Sequence, residues 1–315
     1  MFHLFDRLVL SVAKGLRTPR HVLTSRLMLL TVAFVWGATF VFVKAALGEI
    51  GPFTFLAARF WLAFAVLAGP LFARLRRGGL SLGRAGGVLG AVLFAAYAFQ
   101  TVGLRTTTAS RAGFLTGLFV VFVPLLAALV LRRLPAPSAW AAALLAALGV
   151  ALLSLPLDPA LAPGDGLMLL CALLVAVHIL LVDRLARRHD PLALGTVQIG
   201  AVALLSGLAA GLTEPLPVHL SPTVWGAILF TALPATALAL LLQVVAQRRT
   251  PPHQAALLLM LEPVFAALAA FLFLGERLSG PGLVGCGLIL VAMLVAEVPS
   301  FFGIHRRPPS HPAGE

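Results

Sequence analysis

Ten long apolar stretches, separated by only a few residues of proline, glycine or charge, constrain this chain more than anything else in it. They run over about 27–48, 52–73, 83–103, 109–131, 137–155, 165–183, 191–212, 222–246, 252–274 and 280–298. A helix that crosses the hydrocarbon core of a bilayer needs roughly 20 apolar residues, and each stretch supplies about that many. Runs this long and this continuous do not alternate as the strands of a membrane barrel must. Only 11% of the 315 residues are charged and 60% are hydrophobic, against about 25% charged in soluble domains. A water-soluble globule is therefore excluded. The expectation is an all-α integral membrane protein with ten transmembrane helices, in which any chemistry happens inside the bundle or at its mouths.

The net charge of +12 does not point to nucleic acid, because the basic residues are scattered among short connections instead of gathered on a run or face. They speak to orientation. With the N-terminus placed inside and the connections assigned alternately to the two sides, 18 Lys and Arg fall inside. Outside fall Arg105, Arg111 and Arg277, while Lys44 and Arg59 lie within spans. Both termini are thus expected in the cytoplasm, on the inner side of the plasma membrane. Residues 1–26 form a basic leader with no small-residue cleavage site. Its Phe2, Phe5, Leu8, Val9 and Val12 could make one apolar helical face on the inner leaflet, or the leader is a disordered basic arm. Residues 299–315 form a cytoplasmic tail.

An internal repeat divides the chain. Arg133-Leu134-x-x-Pro137 matches Arg277-Leu278-x-x-Pro281 at an offset of 144, each just before the last span of its half. Two units of five helices follow, 27–155 and 165–298. Since five is odd, the second unit enters the membrane from the opposite side, so the expected fold is a pair of inverted five-helix repeats. Such a pair can open a midplane site to either side in turn.

Four passages then resemble the drug/metabolite transporter superfamily, EamA type, over essentially residues 27–298. They are Trp36-Gly37-Ala38-Thr39-Phe40 with Lys44; Pro52 followed by Arg59; Thr108-Ala109-Ser110-Arg111-Ala112 with Phe114-Leu115-Thr116-Gly117; and Glu262-Pro263 followed by Gly275-Glu276-Arg277-Leu278. The first unit carries Leu131-Arg132-Arg133-Leu134 where the second has Gly275-Glu276-Arg277-Leu278, so that acid is not duplicated. The resemblance implies a carrier of amino acids, metabolites or drugs, often an exporter, with a central cavity between the halves.

Polar groups at membrane depth need a partner, an aqueous cavity or an interface, and so mark candidate sites. Glu262 lies about ten residues into its span with no basic residue near it in sequence. It either binds a substrate cation or a proton, or fixes helix packing as a hydrogen-bonded carboxyl. His178 lies near mid-span, and its ordinary pKa of about 6.5 would let it titrate physiologically, or it hydrogen-bonds a neighbouring helix. Gln198, and Tyr97 with Gln100, offer hydrogen bonds to a cavity or to another helix. Trp36 sits too deep for an interfacial belt, unlike Trp225, and either walls a site or packs the core. The expected substrate-binding set is Trp36, Tyr97, His178, Gln198 and Glu262.

Lys44, Arg59 and Arg111 are gating or pairing candidates. Lys44 can snorkel to the interface, Arg59 can pair with Glu49 or a carbonyl or attract an anionic substrate, and Arg111 opens its span from the outside, as a gate or a solvated helix end. Pro124, Pro234 and Pro263 release the carbonyls of Val120, Phe230 and Leu259 from helical bonding. The pairs Gly86/Gly90, Gly113/Gly117 and Gly207/Gly211 permit close helix approach, within the bundle or at a homodimer face. Cys171 and Cys286 lie in apolar runs, and no disulfide, metal site, phosphate loop or cofactor is expected. The partners expected are a small-molecule substrate, protons and membrane lipid. Rival readings are a lipid-acting membrane enzyme, which needs an acidic metal cluster or a nucleophile with its base, and a non-transporting helical scaffold.

Overall fold

The computed structural model describes residues 20–107, 109–131, 137–153, 162–215, 219–265, 268 and 279–301. The apolar leader face at residues 2–12, the Arg-Leu pairs of both repeat motifs, residues 275–278 and the tail beyond 301 lie outside the described residues. Among those described, every regular element is helical. In chain order they are α1 (Arg20–Gly37), α2 (Thr39–Ala46), α3 (Pro52–Leu104), α4 (Ala109–Gly117), α5 (Phe119–Leu131), α6 (Pro137–Leu153) and α7 (Asp165–Ala186). Then come α8 (Pro191–Thr213), α9 (Pro222–Ala232), a π-helical segment Leu233–Leu238, α10 (Ala239–Gln247), α11 (Pro252–Leu259) and α12 (Gly280–Phe301). Six stretches among the described residues are long and apolar enough to cross a membrane, one of them being the 53-residue α3. The outer surface is itself apolar: Leu129 is 75% and Leu212 84% exposed. Such a surface is stable against lipid and not against water.

Breaks in the helices are more informative than their lengths. α3 bends at Gly79, whose φ of 56° and ψ of −158° belong to a region that only glycine occupies without strain. The expected loop between the second and third apolar stretches is thus helical on both sides of one glycine. α1 and α2 are parted at Ala38, and α4 and α5 at Leu118, so the first and fourth stretches are each two helices. In the ninth stretch α11 stops at Leu259, a turn covers Met260 and Leu261, and helix resumes at Glu262. The proline ring of Pro263 cannot donate to the Leu259 carbonyl, which explains the stop. Pro124 is accommodated within α5, and Pro234 lies inside the π-helical segment.

Packing pairs distant elements. Both arms of α3 lie along α8, the second arm also lies on α7, α10 lies on α1, and α6 lies on α12. Glycines set the closest approaches. A side chain at Gly86 would meet Val197, and one at Gly90 would meet Ala201 and the Gln198 carbonyl oxygen, the latter at 2.7 Å. A side chain at Gly149 would meet the Gly285 carbonyl oxygen, its Cβ coming within 2.7 Å. The other two glycine pairs do not act as pairs: Gly117 meets Met260 and Gly207 meets Trp61, but Gly113 and Gly211 face open space.

Polar ties pin the helix ends. The Glu214 carboxylate, at the end of α8, accepts the backbone N–H groups of Phe53 (2.9 Å) and Thr54 (2.7 Å) and the Thr54 hydroxyl. A carboxylate is favoured there by the exposed N–H groups of a helix start. At the other end of α8, Asp190 caps Ala193 and pairs with Arg74 at 2.8 Å. Asp165 accepts from the Thr107 hydroxyl and the Ala162 N–H. Lys44 does more than reach an interface: its Nζ donates to the Thr107 carbonyl at 2.6 Å, closing the end of α3.

Candidate functional site

Where the broken stretches meet, a cavity of ≈ 80 Å³ opens between the two halves of the chain. Trp36, Arg59, Tyr97, His178 and Glu262 all line it. Four of the five expected substrate-binding residues are therefore brought together. Gln198 is the exception: it is fully buried behind the wall, with its Oε1 3.0 Å from His178 Nε2. It faces the imidazole from behind and is not among the residues that line the cavity, where it was expected. Arg111 lies in α4, and its side chain lies outside the described residues.

Arg59 takes a larger part than its sequence position suggests. Of its three readings, pairing with Glu49 is not what the structure has: Arg59 points inward, 3% exposed, and donates from Nε to the Thr236 hydroxyl at 2.6 Å. Its Cζ lies 4.9 Å from the centroid of the Tyr97 ring and 5.3 Å from that of Phe60, within cation–π range. Among the described residues no carboxylate comes within ion-pairing distance of it. Glu49 is exposed. Glu262, the acid that shares the cavity, makes no hydrogen bond or ion pair among the described residues. A buried cation and a half-buried carboxyl thus line one cavity without forming an ion pair. Burial makes each expensive alone, and that cost is relieved when a ligand supplies the missing counter-charge.

The π-helical segment holds this arrangement. Its wide turn leaves the Ala235 carbonyl free to accept from the Trp36 indole Nε1 at 2.8 Å, and it presents Thr236 to Arg59. Trp36 and Arg59 belong to the first half of the chain, the π segment to the second. Pro234 is the signal for it in the sequence, since it denies the Phe230 carbonyl its usual partner. Gln243 and Thr116 also line the cavity. Neither was among the expected site residues, although Thr116 stands in one of the four resembling passages, because an amide near a span end and a threonine that bonds back to Ala112 read as ordinary helix residues.

The model of one protein family matches the chain twice, over residues 23–155 and 162–297. The chain belongs to the EamA-like transporter family. It is 35% identical over 267 residues to an uncharacterized transporter of Archaeoglobus fulgidus, an alignment that covers 85% of this chain and 83% of that one. It is 33% identical over 198 residues to the threonine/homoserine exporter RhtA of Salmonella typhimurium, covering 59% of this chain and 61% of that protein. A crystal structure of a protein at 23% identity superposes with a TM-score of 0.75 over 89% of this chain and 99% of its own, which shows the fold alone. As an EamA-family member with multiple apolar helices, the chain is a multi-pass membrane protein and a small-molecule transporter.

Proposed function

We propose that this protein is a secondary exporter or exchanger of small zwitterionic metabolites, amino acids foremost, in the plasma membrane. The observation that carries this reading is that Arg59 and Glu262 line the same cavity without forming an ion pair, an arrangement that complements a molecule bearing both a carboxylate and an ammonium group. Arg59 takes the carboxylate by its planar fork. Glu262 takes the ammonium, or a proton once the site is empty. Trp36 and Tyr97 supply aromatic walls, and His178, held by Gln198, a further hydrogen bond. The similarity to a threonine/homoserine exporter supports the same substrate class.

The mechanism is alternating access, in which two inverted five-helix units, 27–155 and 165–298, rock about the cavity. Support comes from the pairing of elements. α10 lies on α1 as the second arm of α3 lies on α7, α11 lies on α1 as α5 lies on α7, and α6 lies on α12. These are the partners that a two-fold axis in the membrane plane would exchange. The breaks agree too: Leu118 lies 144 residues before Glu262, the offset of the repeat motif, and Gly117 meets Met260. Both termini then lie in the cytoplasm.

Exchange of radiolabelled threonine and homoserine across proteoliposomes tests the reading. Glu262→Gln should slow exchange by about ten- to a hundredfold, the loss expected of one charged hydrogen bond, while the yield of folded protein holds. Unchanged exchange would remove Glu262 from the site and the zwitterion reading with it.

A further inference from the structure

Three buried glutamines carry hydrogen-bonding atoms that meet no partner among the described residues. Gln247 is fully buried with both Oε1 and Nε2 unpartnered, Gln243 has an unpartnered Oε1, and Gln198, whose Oε1 faces His178, has an unpartnered Nε2. An amide left so in a dry interior keeps its whole desolvation penalty, and native structures seldom carry one without use for it. Gln243 and Gln247 lie four residues apart on α10, one turn, and therefore share a face. Gln243 is on the cavity wall, so this face leads out of the cavity and ends at Gln247, beside Arg248 and Arg249. α10 is buried everywhere except at Leu242, and it packs on α1 and α8, elements of opposite halves of the chain. Gln198 sits seven residues into α8, counted from the end tied to Arg74, at a similar depth.

We propose that the Gln243–Gln247 face of α10 lines the leg of the transport path between the cavity and the Arg248–Arg249 side of the membrane. The leg is shut in this structure by the seam of α10 with α1, and the amides serve as hydrogen-bonding stations for a polar solute and its water when that seam parts. A neutral amide suits such a leg because it both donates and accepts, and holds a zwitterion less firmly than a fixed charge would. This proposal rests on the transport reading above.

The test uses single cysteines in a Cys171→Ser, Cys286→Ser background, placed at Gln243→Cys, Gln247→Cys and Val244→Cys, in vesicles of both orientations. Val244 is the control, fully buried at the same depth but turned toward Gly195. A membrane-impermeant ammonium methanethiosulfonate reagent should modify positions 243 and 247 at least about tenfold faster than position 244, because only the opening seam exposes them. Position 247 should react only from the Arg248–Arg249 side. Silence at 247, equal rates at all three positions, or reaction of 247 from the other side would each overturn the proposal. Gln247→Leu should melt in detergent at or above the temperature of the wild type, and a lower melting temperature would show a structural partner and overturn it as well. Threonine–homoserine exchange is measured in the same vesicles. Labelling as expected without exchange would keep the leg and remove the substrate reading.

Discussion

The Thr236 hydroxyl decides where the Arg59 guanidinium points, since it fixes Nε and leaves the far end of the fork beside Tyr97. Thr236→Val keeps the shape and loses the acceptor. It should raise the apparent KM for exchange by about tenfold, the worth of one hydrogen bond to a charged group, with little change in the maximal rate. Thr236→Ser should restore the KM, and an equal loss in both variants would assign Thr236 to packing instead. This pair also shows what was legible in the chain at the scale of residues. Trp36, Tyr97, His178 and Glu262 could be picked out because a polar group at mid-span needs a partner or a cavity and an indole at that depth is too far in for an interfacial belt. Position along a span gives depth but not the face of the helix, so Gln198 was assigned to the cavity although it stands behind it. For Arg59 the sequence offered Glu49, a carbonyl or an anionic substrate, and the hydroxyl that its Nε meets lies 177 residues away. No local pattern could have named it. Pro234 was the one visible mark of the irregular turn that presents it.

The helices were legible from apolar length alone, whereas their bends depended on single residues. Gly79 falls in the connection read between the second and third spans, yet its unusual backbone lets α3 continue on both sides of it. Gly79→Ala should cost about 1–3 kcal/mol of stability, the price of a backbone region closed to other residues. Gly87 and Gly90 separate two further effects. A side chain at Gly87 meets nothing within 4 Å, so Gly87→Ala should leave the melting temperature unchanged or raise it, because glycine inside a helix costs up to about 1 kcal/mol against alanine. Gly90→Ala would press on Ala201 and on the Gln198 backbone, which cannot swing aside. It should cost about 1–3 kcal/mol by overpacking and lower the melting temperature in detergent. Equal behaviour of the two variants would contradict the packing of α3 on α8. Small-xxx-small spacing was visible in three places in the sequence, and only at Gly86 and Gly90 do both glycines meet a neighbour, because spacing alone does not say which side of a helix finds another.

Across the whole molecule, the ties between helix ends bear on how the chain threads the bilayer. Lys44 with Thr107, Asp165 with Thr107, and Glu214 with Phe53 and Thr54 all join connections that alternate threading puts on one face. Arg74 with Asp190 joins two that it puts on the other. A miscounted helix between any of these partners would have placed a tied pair on opposite sides of some 30 Å of hydrocarbon, which no hydrogen bond spans. The ties also show that α8 is fastened to α3 at both ends, a fixed seam against which other helices can move. Glu214→Gln should therefore weaken folding by roughly 0.5–2 kcal/mol, the range for a charge at a helix start, and leave the exchange rate of the folded fraction intact. The larger consequence concerns the termini. The ten crossings of the proposed threading would return the chain to the face it left, and the excess of Lys and Arg on the connections of that face would place it toward the cytoplasm. Reporter tags fused before Leu27 and after Glu297 should both be protected from protease added outside intact cells. Tags on opposite faces would mean an odd number of crossings. In that case two five-helix units could not be exchanged by an axis in the membrane plane, and one cavity could not serve both faces by their rocking.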